Sequence, residues 1–300
     1  MGNPMATNLR RSLSATQSLH VHDVSRSNLV AFLQLNPTAI EQPSIADICA
    51  ACDLIFVIVP GPRESYAVFG ELLDHVRPGT ILVDCSTVGP TVVRDNDAKR
   101  KEMLEKEPER LDGVALADAP VSGGPWGARD GSLTIMVGAD SEQVYNVIEP
   151  YLNAMSNVVY NCGGIGNGQA AKICNNYCSF NNMCALAESI VLGERLGLDP
   201  ATLSRIVNAS SGSSYGSNMR NPVPGAVEKS PANDGYKPGF SIAMSHKDLG
   251  LAVEAGQHVD SPVRLGEKTY EYFSKAMEGE DWKGKDYSYI YELIKKQLVL

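Results

Sequence analysis

Short apolar bursts punctuate the first half of the chain: LHVHD (19–23), DLIFVIV (53–59), TILVD (80–84), VALADA (114–119), SLTIMVG (132–138) and NVVY (157–160). Each has the length of a buried strand, and helical stretches lie between most of them. This alternation predicts a doubly wound α/β sheet. After Gly168 the pattern turns helical, opening with a proline-free run rich in Ala, Leu and Met that reads as one helix to about Leu196. A boundary near 162–168 follows, with an α/β domain over 1–164 and an all-α domain over 165–300 joined by that helix. The stretch 209–240, rich in Ser, Gly, Asn and Pro, reads as a long loop, and so long a loop inside a compact domain is usually functional.

Composition narrows the classes. Three hundred residues at 43% hydrophobic content can build proper cores, and a net charge of −9 argues against nucleic acid or an anionic membrane as partner. No apolar run approaches the roughly 20 residues of a bilayer span. Seven cysteines without regular spacing suggest reduced thiols in an intracellular protein. Cys49 and Cys52 form a C-x-x-C, but beside a strand and without a thioredoxin-like context they read as packing residues, as do Cys174, Cys178 and Cys184. Nothing suggests a metal site. The opening MGNPMA fails the myristoylation pattern at Ala6, and the acid-free first 22 residues with Arg10 and Arg11 imitate a mitochondrial presequence.

Three segments carry candidate chemistry. DAPVSGG (118–124) sets a Ser-Gly-Gly turn between two strand-like runs, so Ser122, Gly123 and Gly124 offer a hydroxyl and exposed N–H groups to a small carboxylate; an ordinary glycine-rich hairpin reads equally well. In GQAAKICNN (168–176), Lys172 and Asn176 stand four apart and share a helical face, where a proton carrier and an amide meet one substrate; a solvated lysine and a capping asparagine are the plain alternative. KDLGLA (247–252) sets Lys247 at the opening of an amphipathic helix.

Together with DCSTVGP (84–90), NPVPG (221–225) and the tail KDYSYIYELI (285–294), these segments closely resemble, in order and over nearly the whole chain, the β-hydroxyacid dehydrogenase family, nearest its members that act on 3-hydroxyisobutyrate. The resemblance implies a Rossmann-type dinucleotide-binding domain followed by a helical one. It also exposes a departure: Gly2 matches the last glycine of the family's G-x-G-x-x-G turn, and the first strand and first two glycines have no counterpart. That strand would bury several side chains at about 1.5–3 kcal/mol each, against a domain stability of about 5–15 kcal/mol. An upstream apolar strand with a G-x-G before Met1 is therefore expected. A true short isoform or a degraded enzyme is the alternative.

The resemblance implies an NAD-dependent oxidoreductase with Lys172 and Asn176 as catalytic residues and Ser122, Gly123 and Gly124 holding the substrate carboxylate. Asp23, ending the second family strand, suits the adenosine ribose hydroxyls and repels a 2′-phosphate, favouring NAD over NADP, although nearby Arg26 could blur the preference and a turn role for Asp23 stays open. Val59, Pro60 and Thr87 match positions lining the nicotinamide, and Lys247 matches the lysine that closes over it from the helical domain. Glu64 stands where related enzymes often carry a neutral residue, and Trp126 where they carry small ones. An indole buries on the order of 200 Å², enough to reshape a pocket.

The expected reaction is oxidation of 3-hydroxyisobutyrate to methylmalonate semialdehyde in valine breakdown, Lys172 taking the hydroxyl proton. Reduction of glyoxylate, succinic semialdehyde or tartronate semialdehyde is the runner-up, and a catalytically silent binding or structural homologue the third reading. A homo-oligomer is expected, in the mitochondrial matrix of a eukaryote or otherwise in the cytoplasm.

Overall fold

All six apolar bursts contain strands in the computed structural model, which describes residues 1–297. The chain divides into two compact units, one from Met1 to Lys172 and the other from Ile173 onward, with the division inside the long helix. The first unit runs α1 (Gly2–Ser12), β1 (His20–Val21), α2 (Arg26–Leu35), β2 (Ile40–Glu41), α3 (Ile45–Ala51), β3 (Leu54–Val57), α4 (Pro62–His75), β4 (Ile81–Asp84), α5 (Pro90–Lys106), β5 (Ala115–Asp118), β6 (Val121–Ser122), α6 (Gly124–Asp130), β7 (Leu133–Ala139), α7 (Glu142–Asn153), β8 (Ser156–Asn161) and the start of α8 (Asn167–Arg195). The second holds the rest of α8, then α9 (Pro200–Ala209), α10 (Tyr215–Met219), α11 (Ile242–His258), α12 (Arg264–Glu278) and α13 (Ile290–Lys295).

The expected single sheet is two. β3, β4 and β5 pair in parallel, β7 joins antiparallel to β5 and β6, and β8 runs parallel to β7. β1 and β2 form a separate parallel pair, and among the described residues no strand joins β1 to β3. Side chains alternate across the larger sheet: Leu82 and Leu116 enter a core with Phe69, Leu72 and Val93, whereas Val83 and Ala117 enter one with Met5, Ile135 and Ile148. Both faces are therefore covered, which is why these strands read as continuous apolar runs.

In the second unit, Phe180 on α8 stacks on Phe240 at 5.8 Å between ring centroids and meets Tyr287 edge-on at 5.5 Å. The segment 209–240 is less irregular than expected: α10 is set by a capping box in which Ser214 and Ser217 satisfy each other's backbone N–H. Asp286, fully buried in the tail motif, accepts from Arg220 Nη1 (2.7 Å) and from the N–H groups of Gly239 (3.0 Å) and Phe240 (2.9 Å), tying that segment down. Cys49 and Cys52 are free thiols; burial foremost pushes Cys49 up to about 11, leaving it protonated at neutral pH and unsuited to redox exchange.

Candidate active site

Ser122 belongs to β6 and pairs opposite Thr134 of β7. Gly123 and Gly124 follow with φ of 132° and 64°, and α6 begins there, so the Ser-Gly-Gly turn is a strand-to-helix corner and not a plain hairpin. Glycine is required: a Cβ on Gly123 would lie 3.1 Å from Leu133 Cδ2 on top of the backbone strain. Trp126, 47% exposed on α6, does not fill the core of the first unit.

The start of α8 is buried and polar. Asp118, the last residue of β5, accepts through Oδ1 from Gly166 N (2.7 Å) and through Oδ2 from Gln169 N (2.7 Å). The Gln169 amide accepts from Val88 N (3.0 Å) and Gly89 N (3.1 Å) and donates to Ser86 O (2.8 Å), so it holds the loop that carries Thr87. Ser86 Oγ in that loop accepts from Val59 N, beyond β3, at 2.9 Å. Asp84, paired in register with Asp118, accepts from Ser65 Oγ (2.7 Å) and Ser86 N (2.8 Å). Burial pushes the Asp118 carboxyl up to about 7; the Gly166 and Gln169 N–H groups oppose the rise and neighbouring Asp84 adds to it.

One turn beyond Gln169 comes Lys172, 5% exposed, which excludes the solvated-lysine reading. Asn176 is also 5% exposed and lies mid-helix, so it is no cap; in the second unit its Nδ2 donates to Asp248 Oδ2 at 2.8 Å. Lys247 lies 2.8 Å from Asp248 Oδ1. Its place is in the second turn of α11, which Ser241 caps, and not at the helix opening. Asp248 thus ties together Asn176 and Lys247. The sequence reading passed over Asp118, Gln169 and Asp248, although each lies within a motif it quoted.

Val59 and Pro60 follow the carboxyl end of β3 and Thr87 that of β4, where doubly wound sheets take their ligands. Asp23, beyond β1, spends Oδ1 on Ser25 N (2.7 Å) in a turn ahead of α2, and no hydrogen bond engages its Oδ2 among the described residues. Arg26 is paired with Glu41. This donor set fits a dinucleotide: a carboxylate oxygen for ribose hydroxyls, a neutralised arginine where a 2′-phosphate would need a free one, and an apolar strand end for the nicotinamide. Gly2 opens α1 with nothing nearer than Ile58 Cδ1, 4.0 Å from where its Cβ would be. Glu64 is exposed on the first turn of α4.

Residues 1–164 match the family described as the NAD-binding domain of 6-phosphogluconate dehydrogenase, and residues 166–294 the one described as the NAD-binding domain of NADP-dependent 3-hydroxyisobutyrate dehydrogenase. Mitochondrial 3-hydroxyisobutyrate dehydrogenase of Bos taurus is 37% identical over 99% of this chain and 84% of its own length. The chain belongs to the 3-hydroxyisobutyrate dehydrogenase family. These are oxidoreductases that use NAD. The NAD-dependent L-serine dehydrogenase of Pseudomonas aeruginosa is 34% identical over 98% of the chain and 94% of its own length. Among solved structures, the 3-hydroxyisobutyrate dehydrogenase of Mycobacterium tuberculosis with L-serine superposes with a TM-score of 0.86 at 31% identity, covering 98% of this chain and 95% of that one.

Proposed function

We propose that this member of the 3-hydroxyisobutyrate dehydrogenase family oxidises 3-hydroxyisobutyrate to methylmalonate semialdehyde with NAD, as a step of valine breakdown. The observation that carries the reading is a buried lysine one helical turn ahead of a buried, oriented asparagine on α8. Bound NAD supplies the acceptor for the hydride that leaves the hydroxyl-bearing carbon. Lys172 Nζ takes the hydroxyl proton as the C–O bond becomes a carbonyl, and returns it in the reverse direction. The Asp248 carboxylate accepts a hydrogen bond from Asn176 Nδ2, which fixes the amide and directs its Oδ1 elsewhere. Ser122 and the N–H groups of Gly123 and Gly124 hold the carboxylate. On the cofactor side, Asp23, Val59, Pro60, Thr87 and Lys247 do the holding, with Gly2 at the opening of α1.

L-serine is a second reading, favoured by the Pseudomonas relative's name and by the serine in the Mycobacterium structure; it too is a 3-hydroxy acid. Initial rates on 3-hydroxyisobutyrate, L-serine and the semialdehydes, with NAD(H) and NADP(H), separate these substrates. Lys172→Ala should lower kcat by roughly a hundredfold or more, the upper range for losing a positioned proton carrier, while NAD affinity stays unchanged. Equal loss of NAD binding would return Lys172 to a structural role. A homo-oligomeric state belongs to the same reading and is checked by sedimentation. The mitochondrial designation of the bovine relative supports the mitochondrial matrix as the setting in a eukaryote.

A further inference from the structure

We propose that Asp118 and Gln169 are positioning residues that set the depth and rotation of α8, and through them the place of Lys172. The inference rests on Lys172 being the proton carrier. Three observations in the first unit converge on it.

First, the Asp118 carboxylate is fully buried and spends both oxygens on α8: Oδ1 on Gly166 N just before the helix and Oδ2 on Gln169 N in its first turn, each at 2.7 Å. A bidentate tie from a strand end fixes rotation about the helix axis as well as distance, which one hydrogen bond cannot do. Second, the glycines around it leave no slack. A Cβ on Gly168 would come within 2.3 Å of Met136 O and 2.8 Å of Asp118 Oδ2, and one on Gly138 within 2.5 Å of Asp118 Oδ1. The helix start is seated against β7 at backbone contact. Third, Gln169 binds its amide to Ser86, Val88 and Gly89 by three hydrogen bonds, so the same turn is registered against the loop after β4. Lys172 lies three residues on from Gln169, too close for the helix to absorb an error between them.

Asp118 also ends the strand that leads into Pro120 and the Ser122 corner. One carboxylate therefore references the proton-carrying helix to the strand that presents the substrate-binding turn. Neither Asp118 nor Gln169 needs to touch substrate or cofactor to do this.

The test uses the full chain. Asp118→Asn keeps the volume and one acceptor but turns an NH2 toward a backbone N–H, so one tie is lost. It should lower kcat, per NAD-binding site counted by titration, by roughly ten- to a hundredfold, the scale expected for a misplacement of about 1 Å. KM for the hydroxy acid and Kd for NAD should stay within about threefold. Without ligands, amide hydrogen exchange at Gly166 and Gln169 should quicken by about tenfold or more, as expected when a hydrogen bond to a buried carboxyl acceptor is lost. Gln169→Met, which keeps the length and removes the amide, should lower kcat in the same way and serves if the first variant does not fold.

Unchanged turnover per NAD-binding site in both variants, or a loss only in the fraction of molecules that bind NAD, overturns the proposal. Lys172→Ala runs in parallel: if it keeps full turnover, the functional reading falls and this one with it. A slow Lys172→Ala beside per-site wild-type turnover in both clamp variants sinks the positioning role alone.

Discussion

Asp23 has one carboxylate oxygen engaged and one that no hydrogen bond engages among the described residues. Its Oδ1 shapes the turn that starts α2, which is the modest role the sequence left open, and its Oδ2 remains available for a ribose hydroxyl. Arg26, the residue that could have favoured NADP, is paired with Glu41, so its charge is already balanced. Asp23→Asn removes the charge that repels a 2′-phosphate and keeps the turn-forming oxygen. The ratio of kcat/KM for NAD over NADP should fall by roughly ten- to a hundredfold, because one charge pair near the surface is worth a few kcal/mol at most. An unchanged ratio would leave Asp23 as a turn residue only. The hydrogen bonds of Asp118 and Asp248 were harder to read from the chain. The partners of Asp118 lie 48 and 51 residues away, and Asn176 lies 72 residues from Asp248, distances at which no periodicity connects them.

At the level of elements, the seating of α8 on β7 depends on the absence of a side chain at residue 168. Helix propensity alone would make Gly168→Ala favourable by about 1 kcal/mol. The added Cβ would meet Met136 O at 2.3 Å, however, and a backbone oxygen cannot swing away as a flexible side chain can. Overpacking of this kind costs about 1–3 kcal/mol or more, so the steric term wins and urea denaturation should show net destabilisation. A gain in stability would mean that the helix start can shift. Elements also mark where patterning stops being legible. β2 and β6 are two residues each, too short for alternation to register, and α10 is five residues of polar, loop-like sequence whose helicity comes from a serine capping box. The long runs, by contrast, were plain: α8 ends at Arg195, one residue short of the expected end.

Across the whole molecule, β1 and β2 pair apart from the larger sheet, and among the described residues no strand joins β1 to β3. The β1–β2 pair is two residues long on each side, held by Ile40 N to Leu19 O and Gln42 N to Val21 O. Two-stranded pairs of this size have little stability of their own. The amides of Ile40 and Gln42 should therefore exchange well before those of β4 and β5, in the manner of local opening; equal protection would show that α1 to α3 hold the pair firmly by packing. The free cysteines offer a different kind of access to the same molecule. Only Cys174 and Cys178 are exposed, and Cys174 sits two residues past Lys172, about 200° around α8. A thiol-specific mass tag would thus mark two positions readily while the chain is folded and all seven once it opens. The protein carries its own gauge of unfolding, legible by weighing it, on a side of the helix turned away from Lys172.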